Sequence, residues 1–495
     1  MPAPDGPDQP DPVADGAGDA VTGPGHAGPV GAGDAMTRPG QAGTVGAGDG
    51  PRAGDAGPPV GTGGTWDRAL WAGVGVGLVL ALAMTLLRGD AMWSSSEGVY
   101  AQTARQLLDG DDLYSRLVAA QPPVSLYAGV LPLLISDTLD AIHVAMALCQ
   151  LAGGALAAVA VRRLTGSSVA TAVTPVAAVL LPWAVNQHGV YTPELVGLPL
   201  LMGAGVLAAR ERGAPWAGIL LALAVFTKLP FVVPAVLVAL VAADRRRTAG
   251  WLVGALVVQV VAYTLLFSTA IWDQTILAQR DSGFDALGSI PGVAVQTVWN
   301  LLGLLVGCAL LLRHRASWPA DRLQLRVSAA LALGTAVTWI STTKDGTSLN
   351  VTVPIELALV PVAVTGFVLA WRSVGPASTR GARAVGRWAL PVLAALAFAQ
   401  SVAVLVPPHD AFPWVRPGSP PTFGQSASEE FVHETVEAAR TKCAPDAPFG
   451  GLAYYAFLAD RRMPDGQPDT FLTKNSDRLE PVLDRMLADG PYCGG

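Results

Sequence analysis

Charge is what this sequence has least of. Only 14% of its 495 residues are Asp, Glu, Lys or Arg, against about 25% in a soluble globular chain. The formal net charge is −6 and no basic run or aromatic–basic platform occurs, which argues against a nucleic-acid partner. Cysteine is scarce too, with four in all. Cys149 and Cys308 sit inside apolar runs, where they serve as small hydrophobes. Cys443 and Cys493 lie in a polar C-terminal segment; a disulfide there would suit an oxidising exterior, but spacing alone leaves the pairing open. No apolar run begins before residue 69. A cleavable signal peptide is therefore not visible, and the first apolar helix is expected to stay as an anchor.

Residues 1–65 also lack large apolar side chains. They are Gly, Ala, Pro and Asp, with HAGPVGAGDA at 26–35 returning as QAGTVGAGDG at 41–50. Such a stretch buries no core and is expected to be a disordered cytoplasmic tail.

What the chain has instead is apolar runs: 51% of its residues are hydrophobic and its mean hydropathy is +0.42. Runs at 69–88, 142–161, 168–184, 194–209, 216–227, 230–243, 251–269, 293–312, 327–343, 351–371 and 388–406 predict an all-α polytopic membrane protein. That is about eleven transmembrane helices within a membrane domain at 66–406. The break at Lys228-Leu229-Pro230 favours two helices over one bent helix. The run 123–136 follows Pro122-Pro123 and is too short to span, so it reads as an interfacial or re-entrant piece. With eleven helices, Arg162-Arg163, Arg210 with Arg212, Arg245–Arg247, Arg313 with Arg315, Arg322 and Arg326, and Arg372 with Arg380, Arg383 and Arg387 fall on one side. The positive-inside rule makes that side cytoplasmic. The plasma membrane is the expected location, with the N-terminus inside and the C-terminus outside.

The other side receives a large first external loop, 89–141, read as amphipathic, and a set of polar residues. Glu97 and Tyr100 come from the loop. Glu194 stands at a helix start after Pro193, where the helix dipole favours a carboxylate. Lys228 lies between apolar neighbours at a depth where lysine is usually paired or functional. Lys344 and Asn350 lie in Lys344-Asp-Gly-Thr-Ser-Leu-Asn350. Each has a plain structural alternative: a capping glutamate, a snorkelling lysine, an interfacial tyrosine, an ordinary polar loop. Together they suit one chemistry. Lysines attract a phosphate, and a carboxylate takes the proton of an attacking hydroxyl. Carboxylates and a phosphate sharing a site would also suit a divalent cation such as Mg or Mn, which the sequence does not require; no metal ligands are assigned.

Ser96-Glu-Gly-Val-Tyr-Ala, Leu-Leu-Asp-Gly110 and Gln121-Pro-Pro-Val-Ser-Leu-Tyr127 resemble the first external loop of GT-C fold, polyprenyl-phosphate-sugar-dependent glycosyltransferases. The likeness is to bacterial relatives of dolichyl-phosphate-mannose–protein mannosyltransferases and of lipid A aminoarabinose transferases. Thr192-Pro-Glu194, Phe226-Thr-Lys228-Leu-Pro230 and Lys344 to Asn350 are similar to further motifs of that family. The resemblance implies a GT-C-like bundle that moves a sugar, with inversion, from a polyprenyl-phosphate donor to an extracytoplasmic glycan, lipid or protein. It implies Glu97 and Glu194 as catalytic groups, and Lys228, Lys344, Asn350, Tyr100 and Gln121 as substrate-binding ones. Two positions depart from the pattern. Ser96 stands where the family has an Asp, and Gln121 where it has a Lys. Ser96 is no base at ordinary pH, so a non-catalytic relative is one alternative. A transporter or flippase of a lipid-linked substrate is another, although no internal repeat is visible.

Residues 407–495 turn polar. A Pro-rich linker precedes a helix expected at 429–442, a strand at 449–457 and a closing helix at 479–487, a small extracytoplasmic α/β segment. Sugar, acceptor, prenyl length and oligomeric state are not written in the sequence.

Overall fold

The computed structural model describes residues 64–88, 92, 94–281, 286–343, 349–373, 429–444, 447–490 and 492–493. The tail at 1–63, the Lys344 loop, the eleventh apolar run at 388–406 and the Pro-rich linker lie outside the described residues. The other ten runs are helical. They are α1 (Gly64–Arg88), α4 (Leu139–Thr165), α5 (Ser168–Leu180) with the single turn α6 (Pro182–Asn186), α7 (Pro193–Ala208), α8 (Ala214–Val225), α9 (Val232–Val241), α10 (Arg245–Phe267), α11 (Ala286–Arg313), α12 (Arg322–Thr338) and α13 (Thr352–Ser373). Two more helices, α2 (Ser95–Leu108) and α3 (Pro123–Leu133), form the first loop. Among the described residues, five helices are long and apolar enough to cross a membrane. The chain is a polytopic membrane protein.

The long helices have a polar and a basic end. In α4, His143 near the start contacts Glu97, while Arg163 near the end donates to the Val206 carbonyl (2.6 Å) and to Gln324 (2.9 Å). Between them the helix rises about 30 Å, the thickness of a hydrocarbon core. In α13, Glu356 lies at the first end and Arg372 at the second, where it donates to the Thr165 carbonyl. The carboxylates singled out by the sequence thus lie at the end opposite these arginines.

The C-terminal segment carries α14 (Glu429–Lys442), α15 (Ala453–Ala459), α16 (Thr470–Lys474) and α17 (Glu480–Ala488). Two of its elements match the expected helices. The expected strand does not form: Ala453–Ala459 is a helix, and among the described residues no strand occurs, only isolated bridges such as Phe449 with Cys493. The physical reason is its partner. Tyr454, Ala456 and Phe457 bury against another helix, α2, and no strand edge is offered to this stretch. Cys443 and Cys493 are joined as a disulfide, Cα atoms 5.6 Å apart.

α2 explains how the segment is held. Ala101 and Ala104 are fully buried in the main core, and Glu97 is buried on the same stripe. The adjacent stripe, Gly98, Gln102, Arg105 and Gln106, meets the C-terminal segment. Arg105 donates to the Phe457 carbonyl (2.7 Å), stacks over the Phe457 ring (3.6 Å) and pairs with Asp137. Gln106 donates to the Gly466 carbonyl at 2.8 Å. At Gly98 a Cβ would lie 2.1 Å from the Tyr454 nitrogen, so only glycine lets α15 seat. Gly98→Val should therefore lift α15, at a cost of about 1–3 kcal/mol. Amide exchange across Ala453–Ala459 should rise in that variant; unchanged protection would refute the contact.

Candidate active site

The site is built on the connection between α5 and α7. This stretch leaves regular helix while buried, so its amides and carbonyls need protein partners. Glu356, Gln150 and Glu97 supply some of them, and His188 of the connection ties it to α1. Glu356 accepts from the Trp183 amide (3.0 Å) with Oε1 and from the Ala184 amide (2.9 Å) with Oε2. Gln150 donates to the carbonyls of Ala178 and Ala184. His188 Nε2 donates to the Ala81 carbonyl at 2.8 Å and lies 3.2 Å from the Thr85 hydroxyl. Glu97 Oε1 accepts from the Tyr191 amide at 2.8 Å and from His143 Nε2 at 3.1 Å. The Tyr191 hydroxyl in turn donates to the carbonyls of Ser125 and Leu126 in α3. Burial pushes that phenol's pKa far up, so Tyr191 remains a neutral donor.

Glu97 therefore works as a structural acceptor. It is 1% exposed and turned into the bundle, where it ties α2, α4 and the 187–192 loop together. The amphipathic pattern marks which faces of α2 are apolar, but not that a second stripe is covered by the C-terminal segment. Covering it leaves Glu97 an inward course.

Glu194 is placed differently. Thr192 caps α7 by accepting from the Leu195 amide, Pro193 occupies the first turn and Glu194 follows. One turn on, Gly197 faces the same way; a Cβ there would lie 2.5 Å from both the Thr227 hydroxyl and the Phe231 ring. That close approach brings the break after α8 against the start of α7. Lys228, extended at φ −154°, reaches across and pairs with Glu194 Oε1. The Lys228 side chain is 14% exposed and that of Glu194 1%. Glu194 Oε2 is buried with no hydrogen-bond partner among the described residues. An orphaned buried carboxylate oxygen costs free energy and is rare enough to require a reason.

Tyr100 joins this pair. Its pKa is raised well above the ordinary phenol value, first by burial and then by the charges of Glu194 and Asp469. A hydrogen bond with the Gln121 side chain opposes the rise. Its ring packs edge-on to Tyr191, with centroids 5.8 Å apart. Of the residues expected at the site, Glu194, Lys228, Tyr100 and Gln121 come together, and Glu97 stands behind them. Asn350 is buried in the turn Leu349–Val351 before α13, and no contact joins it to Lys228 or Glu194 among the bonds described. Lys344 lies outside the described residues.

Three residues escaped the sequence reading. Glu356 is a lone carboxylate in an apolar run, a signal that was there to be read. His143 is a polar residue one turn into an apolar helix, a weaker one. Asp469 had no signal at all. Among the described residues, no group of three or more His, Cys, Asp or Glu side chains is arranged to hold a metal ion.

No protein-family model matches the sequence, and no curated protein does. The fold has clear likenesses among solved structures. ArnT from Cupriavidus metallidurans bound to undecaprenyl phosphate superposes with a TM-score of 0.55 at 15% identity, covering 83% of this chain and 88% of that one. The same protein in the apo state gives 0.54 at 15% identity, covering 84% and 91%. An oligosaccharyltransferase of Archaeoglobus fulgidus in the apo form gives 0.50 at 10% identity, covering 81% of this chain and 65% of that one. The chain has the GT-C fold.

The buried pair makes a stability prediction. Lys228→Met strands an ionised Glu194 and should cost about 3–5 kcal/mol. Adding Glu194→Gln should recover most of that loss in thermal unfolding of the detergent-solubilised protein. Additive losses would mean the two side chains do not interact.

Proposed function

We propose that this chain is an inverting membrane glycosyltransferase. It moves a sugar from a polyprenyl-phosphate-linked donor to a hydroxyl of an extracytoplasmic glycan, lipid or protein. The observation that carries the reading is the orphaned Glu194 Oε2 beside the Lys228 ammonium. Support for the donor class comes from the shared fold and from undecaprenyl phosphate in one of the similar structures.

In this reading Glu194, not Glu97, is the base. Lys228 stands beside Glu194 as its counter-charge. Oε2 accepts the hydrogen bond of the acceptor hydroxyl and then its proton. The acceptor oxygen bonds to the anomeric carbon as the bond from that carbon to the phosphate oxygen breaks on the opposite face. The departing polyprenyl phosphate gains a negative charge as Glu194 loses its own. Lys228, relieved of its partner, then meets that new charge. Tyr100, kept protonated by burial and by nearby carboxylates, serves as a hydrogen-bond donor and not as a base. Glu97 and His143 are positioning residues that hold the loop ahead of Glu194. Asn350 and the Lys344 loop are assigned to the donor only through the family resemblance.

The positive-inside rule would put the arginine end in the cytoplasm with the N-terminal tail, and the carboxylate end with the C-terminal segment outside. The Cys443–Cys493 disulfide accords with that side.

Glu194→Gln should lower transfer of radiolabelled sugar from a polyprenyl-phosphate donor by about a hundredfold or more, the usual worth of a general base. Glu97→Gln, which keeps an acceptor for the Tyr191 amide, should lose less than about a tenth of that factor. Equal losses would overturn the assignment of the base, and a wild-type protein that transfers no sugar from any such donor would overturn the function.

A further inference from the structure

We propose that the basic end of α7, α8 and α10 is a binding surface for an anionic phospholipid of the leaflet it faces, cytoplasmic by the positive-inside rule. Arg210, Arg212 and Arg245–Arg247 meet the headgroup phosphate, and Trp216 and Trp251 lie beside the glycerol. The inference goes beyond sugar transfer and does not depend on it.

Two turns far apart in sequence are joined here. The Ala243 amide donates to the Ala208 carbonyl at 2.8 Å, and the Arg210 amide to the Leu207 carbonyl at 3.0 Å. The turn Glu211–Gly213 is pressed onto the end of α7, since a Cβ on Gly213 would lie 2.3 Å from the Leu207 carbonyl oxygen. One turn further on, a Cβ on Gly218 would lie 2.7 Å from the Thr248 carbonyl oxygen, the Leu252 nitrogen and the Trp251 Cβ, so α8 and α10 run in close contact. Arg210 and Arg212 thereby share one patch with Arg245, Arg246 and Arg247, and all five are exposed. The acids on these turns are Glu211 and Asp244, and Asp244 caps α10 by accepting from the Arg247 amide at 3.0 Å. Five positive charges against two negative ones leave three positive in excess.

These cations differ from the arginines that hold the bundle. Arg163 and Arg372 donate to carbonyls within the fold. The five side chains make no hydrogen bond or ion pair among the described residues. The tryptophans are uncommitted too. Trp216 is 63% exposed and Trp251 46%, and neither indole N–H has a partner among the described residues. Trp318, at the neighbouring turn between α11 and α12, instead gives its N–H to the Leu311 carbonyl at 2.9 Å. Trp251 stands about 9 Å along α10 from Arg245, a depth suited to an amphipathic ring at the membrane–water boundary. Beyond it Val253, Val257, Val258 and Val261 are exposed, an apolar face for acyl chains. Cations, indoles and aliphatic side chains thus follow in the order of a phospholipid's phosphate, glycerol and chains. Guanidinium forks pair well with phosphate. Both α8 and α10 begin at this end, so their dipoles add charge of the same sign.

Phosphatidylglycerol and phosphatidylcholine titrated into the detergent-solubilised full-length protein test this, with bound lipid read by native mass spectrometry. Each cation is worth about fivefold in affinity for an anionic lipid. The wild type should prefer phosphatidylglycerol by about a hundredfold, the effect of three excess charges. Arg245→Gln with Arg246→Gln and Arg247→Gln should abolish the preference, and lysine at the same three positions should restore most of it. Should the triple variant fail to insert, Arg246→Gln alone should cost about fivefold. Glutamine at Arg313, Arg315 and Arg322, the same charge loss on the neighbouring turn, should lower the preference less than about threefold. No preference in the wild type, a preference kept by the Arg245–Arg247 variants, or equal losses in the two triple variants would overturn the proposal. So would displacement of the lipid by glycerol 3-phosphate, which would assign the surface to a soluble anion.

Discussion

Backbone that leaves helical geometry inside an apolar bundle has no water to turn to. The stretch from Leu181 to Thr192 is such backbone, and side chains from three other helices satisfy part of it: Glu356 from α13, Gln150 from α4 and Glu97 from α2, while His188 of the stretch itself reaches back onto α1. The requirement is electrostatic and local, yet it joins elements far apart in sequence. Fixing the loop fixes the start of α7, and with it Glu194. Two buried glutamates, Glu97 and Glu356, are thereby employed as acceptors for amides, whereas Glu194 keeps a buried oxygen, Oε2, with no hydrogen-bond partner among the described residues.

That contrast is why residue type alone assigns roles poorly here. Glu97 and Glu194 are both 1% exposed. Glu97 Oε1 is engaged by an imidazole and an amide, and such an oxygen holds structure. Glu194 Oε1 is engaged by an ammonium while Oε2 meets no donor among the described residues, and such an oxygen is poised to receive one. The neighbouring cation matters as much as the vacancy. Lys228 supplies the opposite charge that an ionised carboxylate needs inside an apolar bundle.

Much of this was legible beforehand, for physical reasons. Long apolar runs and basic clusters are one-dimensional signals, so the helices and the two ends of the bundle could be read directly. Glu194 and Lys228 announced themselves by being ionisable at an apolar boundary. The direction of Glu97 could not be read, because α2 has two buried stripes and the covering of the second comes from residues some 350 positions away. The helix at Ala453–Ala459 was misread for the same reason: apolar and aromatic residues in a short run suit either a strand or a buried helix. Which one forms is settled by the glycine stripe of α2, not by the run. Lys344 and the last apolar run lie where the structure offers no description.

The two departures from the family pattern gain sense when taken together. The resemblance leads one to expect an acid at 96 and a base at 121; Ser96 and Gln121 are both neutral. One negative and one positive charge are absent as a pair, so the charge balance of the first loop is the same. What remains is a hydrogen bond between Gln121 and Tyr100, a link between neutral groups. Neutral residues at 96 and 121 shift the burden of charge onto groups outside the loop, namely Glu194 and Lys228 on the membrane helices. The absence of the usual acid at 96 is thus not by itself a sign of a dead site. It fits a site whose charged pair, Glu194 and Lys228, is carried by the membrane helices, and whose first loop serves mainly to brace the connection that leads into it.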